Sequence, residues 1–171
     1  MKKSAWLIAG LAVSAVALAK VYAPPAGAPK ANLLVKNLTT GVIEPATFEN
    51  ARKCTGRRTL APGDMLFKSA VVPAGRELSI PIEAGKEFTL FVQFSLGASE
   101  CRHIQAFTPE VGARYVATAF TEPGKCAVSL QREVATPDGR VDHVLQESRL
   151  REIPEITWGA GAQCREEAPR Q

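Results

Sequence analysis

Side chains that build catalytic and metal sites are scarce in this 171-residue sequence. It contains two histidines and three aspartates, and it has neither a Gly-x-Ser-x-Gly motif nor a Gly-rich loop with a phosphate-binding lysine. Consecutive cysteines lie 47, 25 and 38 positions apart, whereas structural zinc sites place cysteines in close pairs. We therefore expect no catalytic residue, no bound metal and no cofactor.

No apolar run in the chain reaches the roughly 20 residues that a membrane-spanning helix needs. The longest run covers residues 5–19, follows two lysines and ends in Ala17-Leu18-Ala19, the small-x-small pattern that a signal peptidase cuts. This pattern predicts a cleaved bacterial signal peptide over residues 1–19 and a periplasmic mature protein. The alternative is an uncleaved segment that tethers the chain to the inner membrane.

The mature chain is nearly neutral. Removal of the signal takes away two lysines and leaves 19 basic and 17 acidic residues. Basic residues are mostly scattered and aromatic residues make up only 6% of the chain, so we expect no nucleic-acid partner. One local cluster surrounds Cys54 in a predicted loop over residues 50–64. This candidate binding loop, suited to an acidic protein or an anionic envelope component, contains Arg52, Lys53, Arg57 and Arg58.

Apolar residues after position 30 mostly alternate with polar ones, and Gly/Pro turns divide them into short runs typical of strands. The pattern predicts an all-β, antiparallel sandwich, Ig-like or similar, with a small barrel as the alternative. We expect a single domain over residues 31–158. A Pro/Ala-rich linker at 20–30 should hold it away from the cleavage point, and a C-terminal tail at 159–171 should follow it.

Two predicted strands have a definite place in the sheets. The strand over 78–82 contains Pro81, which lacks an N–H donor, so it should lie at an edge or carry a bulge there. The strand over 87–95 is apolar on both faces and should be central. Residues 140–153 fit either a helix or a strand, and we prefer a strand over 140–147 in a hairpin with the strand before it. Other strands are predicted over 32–37, 65–72, 101–107, 114–121 and 126–134, with a short helix over 48–53.

The four cysteines should form two disulfides, because an exported chain folds in an oxidising compartment. Sequence permits three pairings, and we expect neighbours to pair, Cys54 with Cys101 and Cys126 with Cys164. Each loop closed in this way would stabilise the fold by about 4 kcal/mol. The second bridge would tether the tail through Cys164.

A resemblance supports the same view of the fold. Residues 80–86 (IPIEAGK), Cys101, residues 107–115 (FTPEVGARY) and Gly124-Lys125-Cys126 resemble segments of small exported or lipoprotein-like proteins of Proteobacteria. That resemblance implies a disulfide-bearing β domain of the cell envelope and implies no activity. The chain departs from the lipoprotein versions, since no cysteine follows its apolar run to carry a lipid.

Three functions remain as hypotheses. We favour a non-enzymatic periplasmic protein that binds another envelope protein or an anionic envelope component. An inhibitor that acts on an envelope or foreign enzyme through the basic loop is the first alternative. A hydrolase or redox enzyme that uses His103 is the second, since a free thiol at Cys101 beside an imidazole would be reactive.

Overall fold

The protein folds into two β-sheets packed face to face. The computed structural model describes residues 21–61, 71–123, 125–153 and 164–166. The all-β sandwich that the sequence predicts is therefore confirmed. The strands are β1 (Lys30–Asn37), β2 (Val42–Asn50), β3 (Thr55–Thr59), β4 (Glu77–Glu83), β5 (Phe88–Leu96), β6 (Ser99–Phe107), β7 (Arg114–Glu122), β8 (Lys125–Ala135), β9 (Val141–Leu145), β10 (Arg149–Glu152) and β11 (Arg165–Glu166).

The strands divide into a five-stranded sheet and a six-stranded sheet. The first, sheet I, has the order β4-β1-β7-β8-β9, and the second, sheet II, has the order β11-β10-β6-β5-β2-β3. Neighbouring strands run antiparallel except β1 and β7, which pair in parallel with Leu33 opposite Tyr115. The chain crosses between the sheets several times, so each sheet combines strands that are distant in sequence.

The core lies between the two sheets and follows the alternation of apolar residues. Leu33 and Val35 of β1 and Leu90, Val92 and Phe94 of β5 are all buried in it. Edge and centre are placed as predicted. β4, which carries Pro81, is one of the two edge strands of sheet I, and β5 is central in sheet II with buried residues on both faces. The hairpin prediction is also confirmed, because β9 pairs antiparallel with β8.

The prediction of a short helix over residues 48–53 is wrong. β2 continues to Asn50, which pairs with Thr55, and a turn over 51–54 leads into β3. The amide oxygen Oδ1 of Asn50 accepts the Lys53 N–H at 3.0 Å and closes this turn, while pairing with β3 keeps residues 48–50 extended. The Phe48–Arg57 and Asn50–Thr55 pairs of this hairpin connect residues that a local helical pattern does not reveal.

The segment before β1 lies against the sandwich, in contrast to the linker that the sequence predicts. Val21 forms a bridge with Thr59, and the ring of Tyr22 packs edge-on against Phe88 at 5.7 Å between centroids. The Tyr22 hydroxyl accepts the backbone N–H of Glu83 at 3.0 Å. Residues 21–22 therefore contact both sheets of the domain.

Two disulfides are present as expected, but the predicted pairing is wrong. Cys54 is bonded to Cys164, and Cys101 to Cys126. Cys101 lies opposite Phe94 and packs on the core, so its bond to Cys126 of β8 joins the two sheets. Cys54 lies with a different apolar cluster, which Phe91 shares. Because alternate residues of β5 point to opposite faces, Cys54 and Cys101 are on opposite sides of sheet II.

Tight packing surrounds the connection between β1 and β2. The amide of Asn37, fully buried, donates to the carbonyls of Gly41 at 3.0 Å and Val72 at 2.8 Å, and its oxygen accepts from Thr39. A Cβ at Gly41 would lie 2.2 Å from the carbonyl oxygen of Ser95, so only glycine fits there. This polar network orders the crossing from sheet I to sheet II.

Several predictions fall outside the described residues. They are the signal peptide over 1–19, most of the strand over 65–72, and the tail apart from residues 164–166. Within the described part of the chain, no helix has the length and apolar character needed to cross a membrane. The two disulfides indicate an oxidising, extracytoplasmic environment.

Candidate functional site

A second apolar cluster lies on the face of sheet II that points away from the core. Along β5, Leu90 and Val92 belong to the core between the sheets, so Phe91 projects from the opposite face. Its ring is only 2% exposed, which shows that this face is covered. We call this set the outer cluster. Its buried members are Ala46, Phe48, Cys54, Phe91, Ile104 and Cys164, with Ile153 packed against them.

The turn over residues 51–54 lies against the outer cluster and carries two of the predicted binding residues. Arg52 and Lys53 are both exposed, and we call residues 51–54 the basic turn. Three contacts hold the basic turn in place. The Thr89 hydroxyl of β5 donates to the Ala51 carbonyl at 2.9 Å, the Lys53 N–H donates to the Asn50 side chain, and Cys54 forms a disulfide with Cys164. Cys54 has a φ of 47°, a left-handed conformation that non-glycine residues adopt only when their surroundings hold them.

The other two predicted binding residues, Arg57 and Arg58, lie on β3 and are engaged within the fold. The guanidinium of Arg57 stacks 4.5 Å above the Phe91 ring and contacts Glu44 at 2.8 Å, and burial lowers the pKa of Arg57. Arg58 is paired with Glu49 at 2.6 Å. Adjacent residues of a strand point to opposite faces, so these two arginines do not form one surface. The structure therefore places Arg52 and Lys53 on the basic turn, and it places Arg57 and Arg58 in ion pairs with residues of β2.

A cleft of about 330 Å³ opens beside the basic turn, where Ala51 and the N-terminal segment meet. Its apolar wall includes Tyr22, Phe48 and Phe88, and its charged wall includes Arg58 and Lys86. Acidic neighbours pair with these cations, since Glu49 contacts Arg58 and Glu83 contacts Lys86 at 2.7 Å. The charged groups of this cleft are thus largely satisfied within the protein.

A half-buried acidic group, Glu87, joins β10 to the residue that precedes β5, a feature that the sequence did not indicate. Glu87 accepts from Arg151, whose Nη2 lies 2.7 Å from Oε1, and it also pairs with Arg149. The Arg151 side chain is almost fully buried. Because the partners are more than 60 positions apart and residues 140–153 have no clear period, only the folded sheet reveals this ion pair. It anchors the strand that leads towards Cys164.

His103 does not lie beside a free thiol. Cys101 is bonded to Cys126, and Nε2 of His103 is 3.4 Å from Oε1 of Gln105. Burial lowers the pKa of His103, so the neutral imidazole is favoured there. The Gln105 side-chain nitrogen is buried and has no hydrogen-bond partner among the described residues. The thiol–imidazole pair that a redox or nucleophilic site at this position requires is thus not formed.

Comparison of the chain with known proteins gave no match. The chain matches no protein-family model, and no curated sequence matches it significantly. The resemblance to exported proteobacterial proteins therefore stays a prediction from the sequence segments alone.

Proposed function

We propose that the protein works by binding rather than by catalysis, and that the basic turn is its contact surface. One observation carries this proposal. Two exposed cations, Arg52 and Lys53, project from a turn that a disulfide and a backbone contact hold in one conformation. Neither cation forms an ion pair with another residue in the described part of the chain. A turn ordered in advance loses little conformational entropy when a partner binds.

The charge of the turn selects the kind of partner. Exposed arginine and lysine attract acidic surfaces and speed their encounter, an effect that weakens as salt concentration rises. We propose an acidic face of another envelope protein as the partner, with an anionic envelope polymer as the alternative. The expected location is the periplasm, to which a cleavable signal peptide over residues 1–19 would direct the chain. Oxidation of all four cysteines supports an extracytoplasmic site of action.

Photocrosslinking in intact cells tests this function. A photoreactive amino acid in place of Lys53 should capture one acidic partner after irradiation, and the same substitution at Arg76 should not. Arg76 is also exposed, but it follows a turn before β4 of the other sheet. The captured band should weaken as the salt concentration of a lysed sample is raised before irradiation.

Charge reversal supplies a matched control. R52E/K53E should abolish capture at a photoreactive residue placed at Thr55, whereas R76E/K125E, which changes the net charge equally at exposed sites, should preserve it. Equal capture by both double variants would show that the basic turn is not the contact. An anionic polymer as the partner would instead appear as salt-dependent retention on a polyanion column without any crosslinked protein.

A further inference from the structure

The outer strand of sheet I, β9, is exposed along its whole length. All five of its residues are exposed, and no described strand lies beyond it. Half of the large apolar side chains that are exposed among the described residues lie on β9 and β10. They include Val141 at 53% and Leu145 at 75%, together with Val144 and Leu150. An open edge with apolar side chains is a ready template for pairing with another strand.

The opposite edge of the same sheet, β4, is partly blocked. Two backbone hydrogen bonds define the orientation of β4: the Ala84 N–H donates to the Pro29 carbonyl, and the Asn37 N–H donates to the Arg76 carbonyl. Even-numbered residues of β4 therefore direct their N–H and C=O groups towards β1. Odd-numbered residues therefore face outward. Among them, Pro81 has no N–H to offer, and the Glu83 N–H is bonded to the Tyr22 hydroxyl. Two of the four outward N–H positions of β4 are therefore unavailable, and β9 is the more open edge of sheet I among the described strands.

Backbone hydrogen bonds at the two ends of the β8–β9 pair show which N–H and C=O groups of β9 are available to pair with another strand. Gln146 donates to the Leu130 carbonyl at 3.0 Å, and the Arg140 carbonyl accepts from Thr136 at 2.9 Å. Residues 142 and 144 therefore direct their N–H and C=O groups towards β8, and the alternate residues direct theirs outward. The free edge consists of the backbone groups of Val141, His143 and Leu145.

We propose that this free edge pairs antiparallel with the same edge of a second copy of the chain, with His143 on the two-fold axis. In this register each Val141 lies opposite Leu145 of the other copy. The three outward-facing pairs exchange about six backbone hydrogen bonds, since each pair exchanges two. The same register places valine beside leucine across the strands, an apolar pair that stabilises antiparallel pairing.

Self-pairing fits the composition of the edge. A two-fold axis needs a surface that is complementary to itself, and β9 offers an apolar residue at each end with one histidine at the centre. The single acidic residue, Asp142, points to the other face of the strand and would lie opposite Val144 rather than another carboxylate. The joined sheets would form one continuous ten-stranded sheet from the two five-stranded ones.

The dimer should be weak, because a strand of this length buries less than the roughly 1,200 Å² of a standard interface. Sedimentation equilibrium of the purified, oxidised protein should show a dimer with a Kd on the order of 10 μM. Amide hydrogen exchange resolved by NMR gives the second readout. The amides of Val141, His143 and Leu145 should become protected as protein concentration rises, whereas those of Asp142 and Val144 should be protected at every concentration.

Substitution at the axis gives the decisive comparison. H143P removes an outward N–H without breaking a hydrogen bond to β8. Proline is tolerated only where an edge strand has no pairing partner, so this variant should raise the dimer Kd at least about tenfold. S79P, at an outward position of β4, is the matched control and should leave the Kd unchanged. If H143P does not fold, L145K replaces it, with L38K as the control at another exposed leucine.

A protein that stays monomeric at about 500 μM, roughly fifty times the expected Kd, would overturn the proposal. A dimer in which the three outward amides gain no protection would also overturn it. Protection that arises only when a different protein is added would assign the edge to that protein and contradict self-pairing.

Discussion

Removal of the Cys54–Cys164 bridge should destabilise the protein more than removal of the Cys101–Cys126 bridge. The first bridge closes a loop with a sequence separation of 110, and the second closes one of 25. The chain-entropy relation gives about 4.8 kcal/mol for the longer loop and about 3.5 kcal/mol for the shorter one. The C54A/C164A variant should therefore lose about 1.3 kcal/mol more than the C101A/C126A variant.

Packing increases the expected difference. Cys54 and Cys164 are both buried in the outer cluster, whereas Cys101 and Cys126 are only partly buried beside the core. Alanine at the two buried positions leaves space against Phe48 and Phe91, and such cavities reduce stability further. Alanine rather than serine is the better replacement, because a hydroxyl without a hydrogen-bond partner would add its own desolvation cost.

Urea unfolding of the parent chain and both double variants measures this order. The midpoint and the slope should be fitted separately, since a bridge also restricts the unfolded chain and thereby changes the slope. A C54A/C164A variant that is as stable as C101A/C126A, or more stable, would refute the reasoning. That result would mean that Cys164 contributes little to the packing of the outer cluster.

The remaining predictions concern packing, protonation and the first turn. Phe91→Ala should lower the free energy of unfolding by about 3–5 kcal/mol, as much as Phe94→Ala in the core, because both rings are buried; equal urea midpoints check this. The free energy of unfolding should fall as pH drops below about 6.5, because the pKa of His103 is lowered on folding and the unfolded chain binds the proton better; H103Q should flatten that part of a urea-midpoint profile. Asn37→Asp should cost about 3 kcal/mol or more in chemical unfolding, because a carboxylate would face two carbonyl oxygens in place of a donor. Gly41→Ala should lower the melting temperature by several degrees, because its Cβ would overlap the carbonyl of the neighbouring strand.

The candidate site was only partly readable from sequence. The cations at 52 and 53 were recognisable because they are adjacent to a cysteine, and both are exposed in the structure. The same local view included Arg57 and Arg58, whose partners Glu44 and Glu49 lie on β2. Strand pairing brings those acids into contact, and a list of charges along the chain carries no information on pairing.

The amino-acid sequence by itself determined the class of fold and the position of most strands. Alternation of apolar residues, Gly/Pro turns and the missing donor of Pro81 are local properties, so they suffice to place β4 at an edge and β5 in the centre. The presence of disulfides also followed from composition and from the expected export.

Only the tertiary structure decided how distant parts of the chain meet. The disulfide partners depend on which face of sheet II each cysteine occupies, and that depends on the order in which the chain visits the two sheets. The outer cluster, the parallel pairing of β1 with β7 and the open edge of β9 have the same origin. Contacts between residues far apart in sequence are set by topology, whereas the period of a strand is set by its own residues.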